Sequence, residues 1–165
     1  MSKESNKQTS IFAAGCFWGV QYLMQKAPGV IGARAGYSGG CVADPSYKQV
    51  CAGNTGHLEV VEITFDLSRT TYEALVKLFF EIHDFTQQNG QGPDIGQQYL
   101  SAIFYKDEAQ KQTAQEIISA LQSKGYKVAT KLLPAAPFYP AEDYHQDYYE
   151  KKGTLPYCHA RKKIF

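Results

Sequence analysis

Cys16 is the residue of this sequence best suited to nucleophilic chemistry, since a β-prone run ends at Gly15 and a segment with helical spacing begins directly after the thiol. Unpaired backbone N–H groups and the positive end of a helix dipole favour the thiolate, which is the reactive form of cysteine. We expect Gly15 and Gly19 to leave the backbone here open to a ligand. The alternative role for Cys16 is that of most free cysteines, a small buried hydrophobe.

Two large aromatic residues, Phe17 and Trp18, follow the cysteine directly. Adjacent aromatic side chains at the start of a helix cannot both point into the same core. One interpretation is therefore an apolar cage for a small uncharged group such as a methyl. The alternative is ordinary packing.

Glu59 lies near the start of an alternating segment, on a face otherwise filled by Val61, Ile63 and Phe65. A carboxyl group on an apolar face is unfavourable unless it is paired or used. Burial keeps such a group protonated, and so ready to act as a general acid. A salt bridge at the end of a strand is the alternative. The neighbouring His57 is predicted to be structural.

Three further candidates are Tyr47 and Asp94, which lie in polar, glycine-rich loops, and Tyr99, which begins the strand predicted directly after the second loop. A tyrosine hydroxyl can donate to an oxygen that gains negative charge during a reaction. Because the chain contains 12 tyrosines, any single one is more often a packing residue.

Four cysteines are too few for a disulfide scaffold in a chain of 165 residues, so any disulfide is expected to be transient and catalytic. Cys158, in an irregular tail, is suited to resolve an oxidised Cys16, and the alternative is an unpaired surface cysteine. Cys41 and Cys51 share one long loop, and either is a rival partner or a passive thiol. No zinc-type spacing is present, so no metal is expected.

The elements that must position these residues follow from hydrophobic periodicity and from glycine and proline breaks. Residues 38–56 and 85–98 are predicted to be long loops, with one helical turn at 47–50. The order predicts an α+β fold, a two-layer α/β sandwich with a mixed or antiparallel sheet, long functional loops and an irregular C-terminal tail. The predicted strands are 9–14, 30–37, 58–65, 99–105 and 127–133, and the predicted helices are 17–26, 71–82, 107–124 and 143–152.

Composition predicts a single domain over residues 1–165, with residues 1–8 flexible. The net charge is +1, with 17 basic and 16 acidic residues, so neither nucleic acid nor an anionic membrane is expected as a partner. The polar N-terminus has no signal-peptide pattern, and no segment is apolar enough to span a bilayer. We therefore expect a cytoplasmic protein, and a monomer.

Eight blocks of residues run in one order along nearly the whole chain: GCFWG (15–19), GYSGG (36–40), PSY (45–47), VCAG (50–53), TGHLE (55–59), HD (83–84), DIGQQY (94–99) and AEDYHQ (141–146). Together they resemble the type A peptide methionine sulfoxide reductase family. The resemblance implies a ferredoxin-like core and repair of oxidative damage by reduction of methionine S-sulfoxide, free or in proteins. It also implies thioredoxin or a similar dithiol donor as partner, and no cofactor.

The resemblance further implies a role for each candidate residue. They are the nucleophile Cys16, the methyl-pocket aromatics Phe17 and Trp18, the acid Glu59, its polar partners Tyr47, Asp94 and Tyr99, and the resolving Cys158.

Two other classes of function remain open from the residues alone. A cysteine hydrolase would use Cys16 as nucleophile and His57 as base, but it would leave Cys158 without a purpose. A non-enzymatic module would use the aromatic residues to bind a peptide. Oxidation by substrate separates these hypotheses, since only a reductase loses thiols when no reductant is present.

Overall fold

Eight strands and five helices make up the part of the chain described by the computed structural model, which covers residues 6–53, 55–153, 159 and 162–165. The strands are β1 (Lys7–Ala14), β2 (Val30–Ser38), β3 (Leu58–Asp66), β4 (Gly90–Gln91), β5 (Asp94–Ile95), β6 (Ser101–Tyr105), β7 (Lys131–Pro134) and β8 (Tyr139–Pro140). The helices are α1 (Phe17–Met24), α2 (Tyr47–Cys51), α3 (Tyr72–Glu81), α4 (Glu108–Ser123) and α5 (Tyr148–Lys152).

Six of the strands form one mixed sheet in the order β7-β6-β1-β3-β2-β8. Only the β6–β7 pair is parallel among these strands, and the other neighbours are antiparallel. The strands β4 and β5 form a separate small hairpin. The predicted α+β class with a mixed sheet is therefore confirmed.

Side-chain alternation divides the sheet into two apolar faces. In β1, Phe12 and Ala14 belong to the larger core under the helices, whereas Ile11 and Ala13 belong to a smaller cluster on the other face. The same period places Glu59 on the helix-covered face of β3, in line with Val61, Ile63 and Phe65. One end of the main core therefore contains a carboxyl group.

Side-chain caps explain where three of the helices begin. Ser46 and Gln49 form a reciprocal capping box at the start of α2. Thr71 accepts a hydrogen bond from the Ala74 N–H at the start of α3, and Asp107 accepts one from the Gln110 N–H at the start of α4. These caps fix the ends of the loops that connect the helices to the sheet.

Several predicted element boundaries are wrong. Tyr99 lies in a 3-10 turn (Gln97–Tyr99), because pairing of β6 with β1 begins only at Ser101, opposite Ala14. The predicted helix 143–152 is interrupted at Asp147, which has a left-handed φ of 53° and donates its N–H to Gln21 Oε1 over 2.9 Å. The edge strand predicted at 127–133 is formed by residues 131–134.

The end of α1 and the start of β1 also differ from the prediction. Helix α1 ends at Met24 rather than at residue 26, and β1 already includes Lys7 and Gln8, the last two residues of the segment predicted to be flexible. No helix in the described ranges is long and apolar enough to cross a bilayer.

Candidate active site

Cys16 occupies the junction between β1 and α1. Gly15, which precedes it, has a φ of 92°, a left-handed conformation that glycine adopts without strain. The Cys16 carbonyl accepts the N–H of Val20 over 3.4 Å, and Phe17 is the first residue of the helix. The side chain is only 7% exposed. The predicted position of the thiol at a helix start is confirmed.

The expectation that Gly15 and Gly19 leave space for a ligand is wrong. A Cβ at Gly15 would lie 2.6 Å from the Cβ of Gln91, and a Cβ at Gly19 would clash with the ring of His159. His159 is buried, and its Nε2 lies 2.6 Å from the carbonyl oxygen of Ala14. The glycines therefore allow two other parts of the chain to approach the cysteine turn closely.

Glu59 is 1% exposed and has two differently placed oxygens. Its Oε1 accepts the backbone N–H of Phe17 over 3.2 Å, and its Oε2 is buried with no hydrogen-bond partner among the described residues. Burial raises the pKa of this carboxyl to about 8. The hydrogen bond from the Phe17 N–H opposes this rise but is weaker than the effect of burial, and the negative charge of Asp94 adds to the rise. Glu59 is therefore protonated at neutral pH.

Tyr47 and Tyr99 lie in the same region of the site but belong to different elements. Tyr47 is the first residue of α2, and Tyr99 lies in the 3-10 turn before β6. Burial raises the pKa of both hydroxyls, and Glu59, which is ionised at the high pH where tyrosines titrate, raises the pKa of each further. Asp94 and Cys16 also act on Tyr99, which indicates that these groups are near one another. Both tyrosines therefore remain hydrogen-bond donors.

Phe17 and Trp18 lie in one aromatic cluster, but on different sides of it. The Phe17 ring centroid is 5.5 Å from that of Tyr37 and 5.2 Å from that of His145. Trp18 stacks on Tyr148 at a centroid distance of 3.8 Å, and its indole N–H donates to His145 Nδ1 over 2.9 Å. The cluster forms an apolar wall directly after Cys16.

The segment after β8 contributes two residues that were not among the candidates, Glu142 and His145. Glu142 accepts hydrogen bonds from the Tyr37 hydroxyl and the Tyr47 N–H, each over 3.1 Å. His145 packs on Tyr47 at 4.3 Å between ring centroids. The block AEDYHQ (141–146) contained a signal for both residues.

The remaining thiols differ in their relation to the site. Cys51 interacts with the Tyr47 hydroxyl, whereas Cys41 lies on an exposed loop with its Sγ 3.6 Å from the Thr55 carbonyl oxygen. Cys158 lies outside the described residues. Within the described ranges, no group of three or more His, Cys, Asp or Glu side chains is arranged to hold a metal ion.

His57 is engaged on both ring nitrogens. Its Nδ1 accepts the N–H of Gly40 over 3.0 Å, and its Nε2 lies 2.6 Å from the carbonyl oxygen of Val42. It is buried and interacts with the loop backbone, which confirms its structural role. The geometry therefore does not favour a hydrolase in which His57 serves as base for Cys16.

Taken together, the site offers a thiol, a protonated carboxyl group, two phenol hydroxyls and an apolar wall. A thiol can attack an electrophilic sulfur, and a neutral acid can protonate an oxygen bonded to that sulfur. Uncharged donors can hold the oxygen while its charge changes.

Comparisons with known proteins point in the same direction. A family model described as peptide methionine sulfoxide reductase matches residues 8–165. The chain is 48% identical over 152 residues to peptide methionine sulfoxide reductase MsrA of Sulfolobus acidocaldarius, covering 92% of this chain and 86% of that protein. It is also 48% identical over 151 residues to the MsrA of Acinetobacter baumannii, covering 92% and 87%.

Solved structures agree with the sequence comparisons. The reduced form of Mxr1 from Saccharomyces cerevisiae superposes with a TM-score of 0.91 at 33% identity, covering 99% of this chain and 96% of that one. Methionine sulfoxide reductase A of Corynebacterium diphtheriae gives a TM-score of 0.85 at 36% identity, covering 93% and 78%.

Proposed function

The chain belongs to the peptide methionine sulfoxide reductase family and reduces methionine sulfoxide with its own thiols, and from this premise we propose that Cys16 is the nucleophile and Glu59 the proton donor. The position of Glu59 carries the proposal. Its Oε1 is held by the N–H that begins the helix after Cys16, while its Oε2 is buried and unused by the described residues. A neutral carboxylic acid beside a nucleophilic thiol matches the needs of a sulfoxide, whose oxygen leaves sulfur only when it is protonated.

In the first step the Cys16 thiolate attacks the sulfoxide sulfur while Glu59 protonates the oxygen. Tyr47 and Tyr99 donate hydrogen bonds to that oxygen, and the negative charge of Asp94 favours the protonated form of Glu59. Phe17 and Trp18 enclose the methyl group. Methionine leaves, the oxygen passes to Cys16, and the thiol becomes a sulfenic acid.

In the second step Cys158 attacks the Cys16 sulfenic acid, which releases water and leaves a Cys16–Cys158 disulfide. Support comes from His159, the residue that follows Cys158 in sequence, because it is buried against the turn that carries Cys16. Cys51 is the rival resolving thiol, since it interacts with Tyr47 at the edge of the same site.

An external dithiol must then reduce the disulfide, and we propose thioredoxin or a similar protein for this role. The yeast relative Mxr1 has been solved in complex with Trx2. A cytoplasmic location agrees with this need, because the cytosol maintains such reductants. The family match also supports the S epimer as substrate, since type A and type B reductases each act on one epimer.

A thiol count with peptide mapping tests this scheme. The reduced protein is mixed with methionine sulfoxide in the absence of reductant, and free thiols are then counted and alkylated before digestion. The expected result is a loss of two thiols and a peptide pair linked through Cys16 and Cys158. A Cys16–Cys51 link would overturn the resolving role of Cys158, and no loss of thiols would overturn the reductase mechanism itself.

A further inference from the structure

Glu81, the last residue of α3, is a second buried acid among apolar neighbours, and the reaction scheme does not use it. It is 3% exposed. Its Oε2 accepts the backbone N–H of Ile164 over 2.9 Å and that of Phe165 over 3.3 Å. Its main-chain carbonyl accepts the N–H of Lys162 over 2.7 Å. One residue therefore binds three backbone donors of the tail.

The side chains of the same tail segment strengthen this attachment. Ile164 and Phe165 pack against the main core. The Phe165 ring lies 5.7 Å from the ammonium group of Lys77 and 5.3 Å from that of Lys124, measured to the ring centroid. We call Glu81 and residues 162–165 the tail anchor.

The tail anchor lies close in sequence to the residue that touches the active site. Three residue steps separate His159 from Lys162, which allows a span of at most about 11 Å. His159 fills the space over Gly19 and lies within hydrogen-bond distance of the Ala14 carbonyl. His159 is therefore fixed at the Cys16 turn by its own contacts, and the tail anchor binds the chain a short distance further along.

We propose that Glu81 is a positioning residue for disulfide formation, because the tail anchor supports His159, the residue next to the resolving thiol in sequence, at the Cys16 turn. This inference rests on the proposed function, in which the Cys158 thiol attacks the Cys16 sulfenic acid with release of water. The rate of such an intramolecular step follows the effective concentration of the attacking group, which falls as its tether loosens. Glu81 does not touch the reacting atoms, so reduction of the first sulfoxide does not depend on it.

Glu81→Ala tests this role because it removes the carboxylate that accepts two tail N–H groups and leaves the backbone contact to Lys162. Glu81→Gln is the conservative variant, since its amide oxygen can still accept the same hydrogen bonds. Glu73→Ala is the matched control, an exposed acid in the first turn of the same helix.

Each reduced protein is mixed with one equivalent of methionine sulfoxide without reductant and is quenched over time. Chromatography measures methionine, and dimedone labelling with intact mass measures the sulfenic acid that has not yet become a disulfide. For Glu81→Ala we expect methionine formation within twofold of wild type and a sulfenic acid that lasts about tenfold longer. Glu81→Gln should recover most of the rate, and Glu73→Ala should match wild type.

Two results would overturn the inference: a sulfenic acid in Glu81→Ala that disappears at the wild-type rate, or a methionine-forming step that slows by the same factor. Cys158→Ser separates this failure from failure of the reaction scheme. If that variant still forms an internal disulfide through Cys16, the resolving assignment is wrong. If it accumulates sulfenic acid while Glu81→Ala does not, only the role of Glu81 is wrong.

Discussion

Glu59 illustrates what can be predicted for a single residue from its neighbours in sequence. Alternation with Val61, Ile63 and Phe65 indicated that this acid faces the core, and the structure confirms its burial. Alternation does not apply to Glu81, the second buried acid, because it lies in helix α3. Its partners, 83 residues or more away in the tail, could not have been predicted because no local periodicity connects them.

Replacing Glu59 by Gln should slow methionine formation by about 10²–10⁴-fold, the usual contribution of a general acid. In the wild type, the rate of the first turnover should fall as pH rises through about 8, where Glu59 loses its proton. In Glu59→Gln this decline should be absent. Single-turnover reactions quenched over time between pH 6 and pH 10 measure both the loss of rate and its pH dependence. Near-wild-type turnover of the variant at neutral pH would contradict the assigned role.

Replacing Tyr47 and Tyr99 by Phe, singly, should slow the same first step by about 10²-fold or more each, since each change removes one donor to the oxygen. Tyr126→Phe is the control, because Tyr126 is an exposed residue away from the site. The measurement is the rate at which methionine forms in a single turnover at saturating substrate. If both Phe variants match the control, the hydroxyls do not stabilise the reacting oxygen.

At the scale of elements, the sequence predicted most strands and helices but not how loops meet the sheet. The 141–147 segment is an example. Gln146 Oε1 accepts the N–H of Ala35 over 2.9 Å, and its Nε2 donates to the Ala35 carbonyl over 2.8 Å. Contacts that span 111 residues leave no periodic trace in a sequence, which is why periodicity alone predicts one uninterrupted helix over 143–152.

Gln146→Ala should therefore lower the free energy of unfolding by about 1–3 kcal/mol, since it leaves the Ala35 N–H without its buried acceptor. Denaturant titration of the reduced protein gives the value. Gln115→Ala, an exposed change on α4, is the control and should cost less than about 0.5 kcal/mol. Equal stability of the two variants would show that Gln146 does not anchor the segment.

For the molecule as a whole, the fold class followed from the order of the elements, but the order of strands in the sheet did not. Placing β1 in the centre requires β3 and β6 to pair with its two sides, and pattern alone does not choose between such pairings. The site depends on this arrangement, because β1 leads to Cys16 and β3 carries Glu59. The expected single domain and monomer stay predictions.

Stability should depend on pH through Glu59. Its pKa is raised from the usual 4.5 to about 8, so the folded state holds an extra proton between these values. Binding of this proton stabilises the folded state. The stabilisation is fully present below pH 4.5 and is lost as pH rises through 8, and the free energy of unfolding falls by up to about 1.4 kcal/mol per pH unit in between. Burial lowers the pKa of His83 to about 3, which gives an opposite slope below pH 6.5.

The difference between wild type and Glu59→Gln isolates the contribution of Glu59, since His83 is common to both proteins. Chemical unfolding at pH 5, 6, 7 and 8 should show the wild type losing stability relative to the variant as pH rises. A constant difference over this range would mean that Glu59 has an ordinary pKa in the folded protein.

The stoichiometry of a single turnover is the most direct test of Cys16 as the redox nucleophile. Wild type, Cys16→Ser and Cys158→Ser are mixed with excess methionine sulfoxide without reductant, and methionine is counted per protein molecule. We predict one methionine for the wild type, one for Cys158→Ser with a dimedone-reactive Cys16, and none for Cys16→Ser. Methionine formed by Cys16→Ser, or none formed by the wild type, would contradict the account.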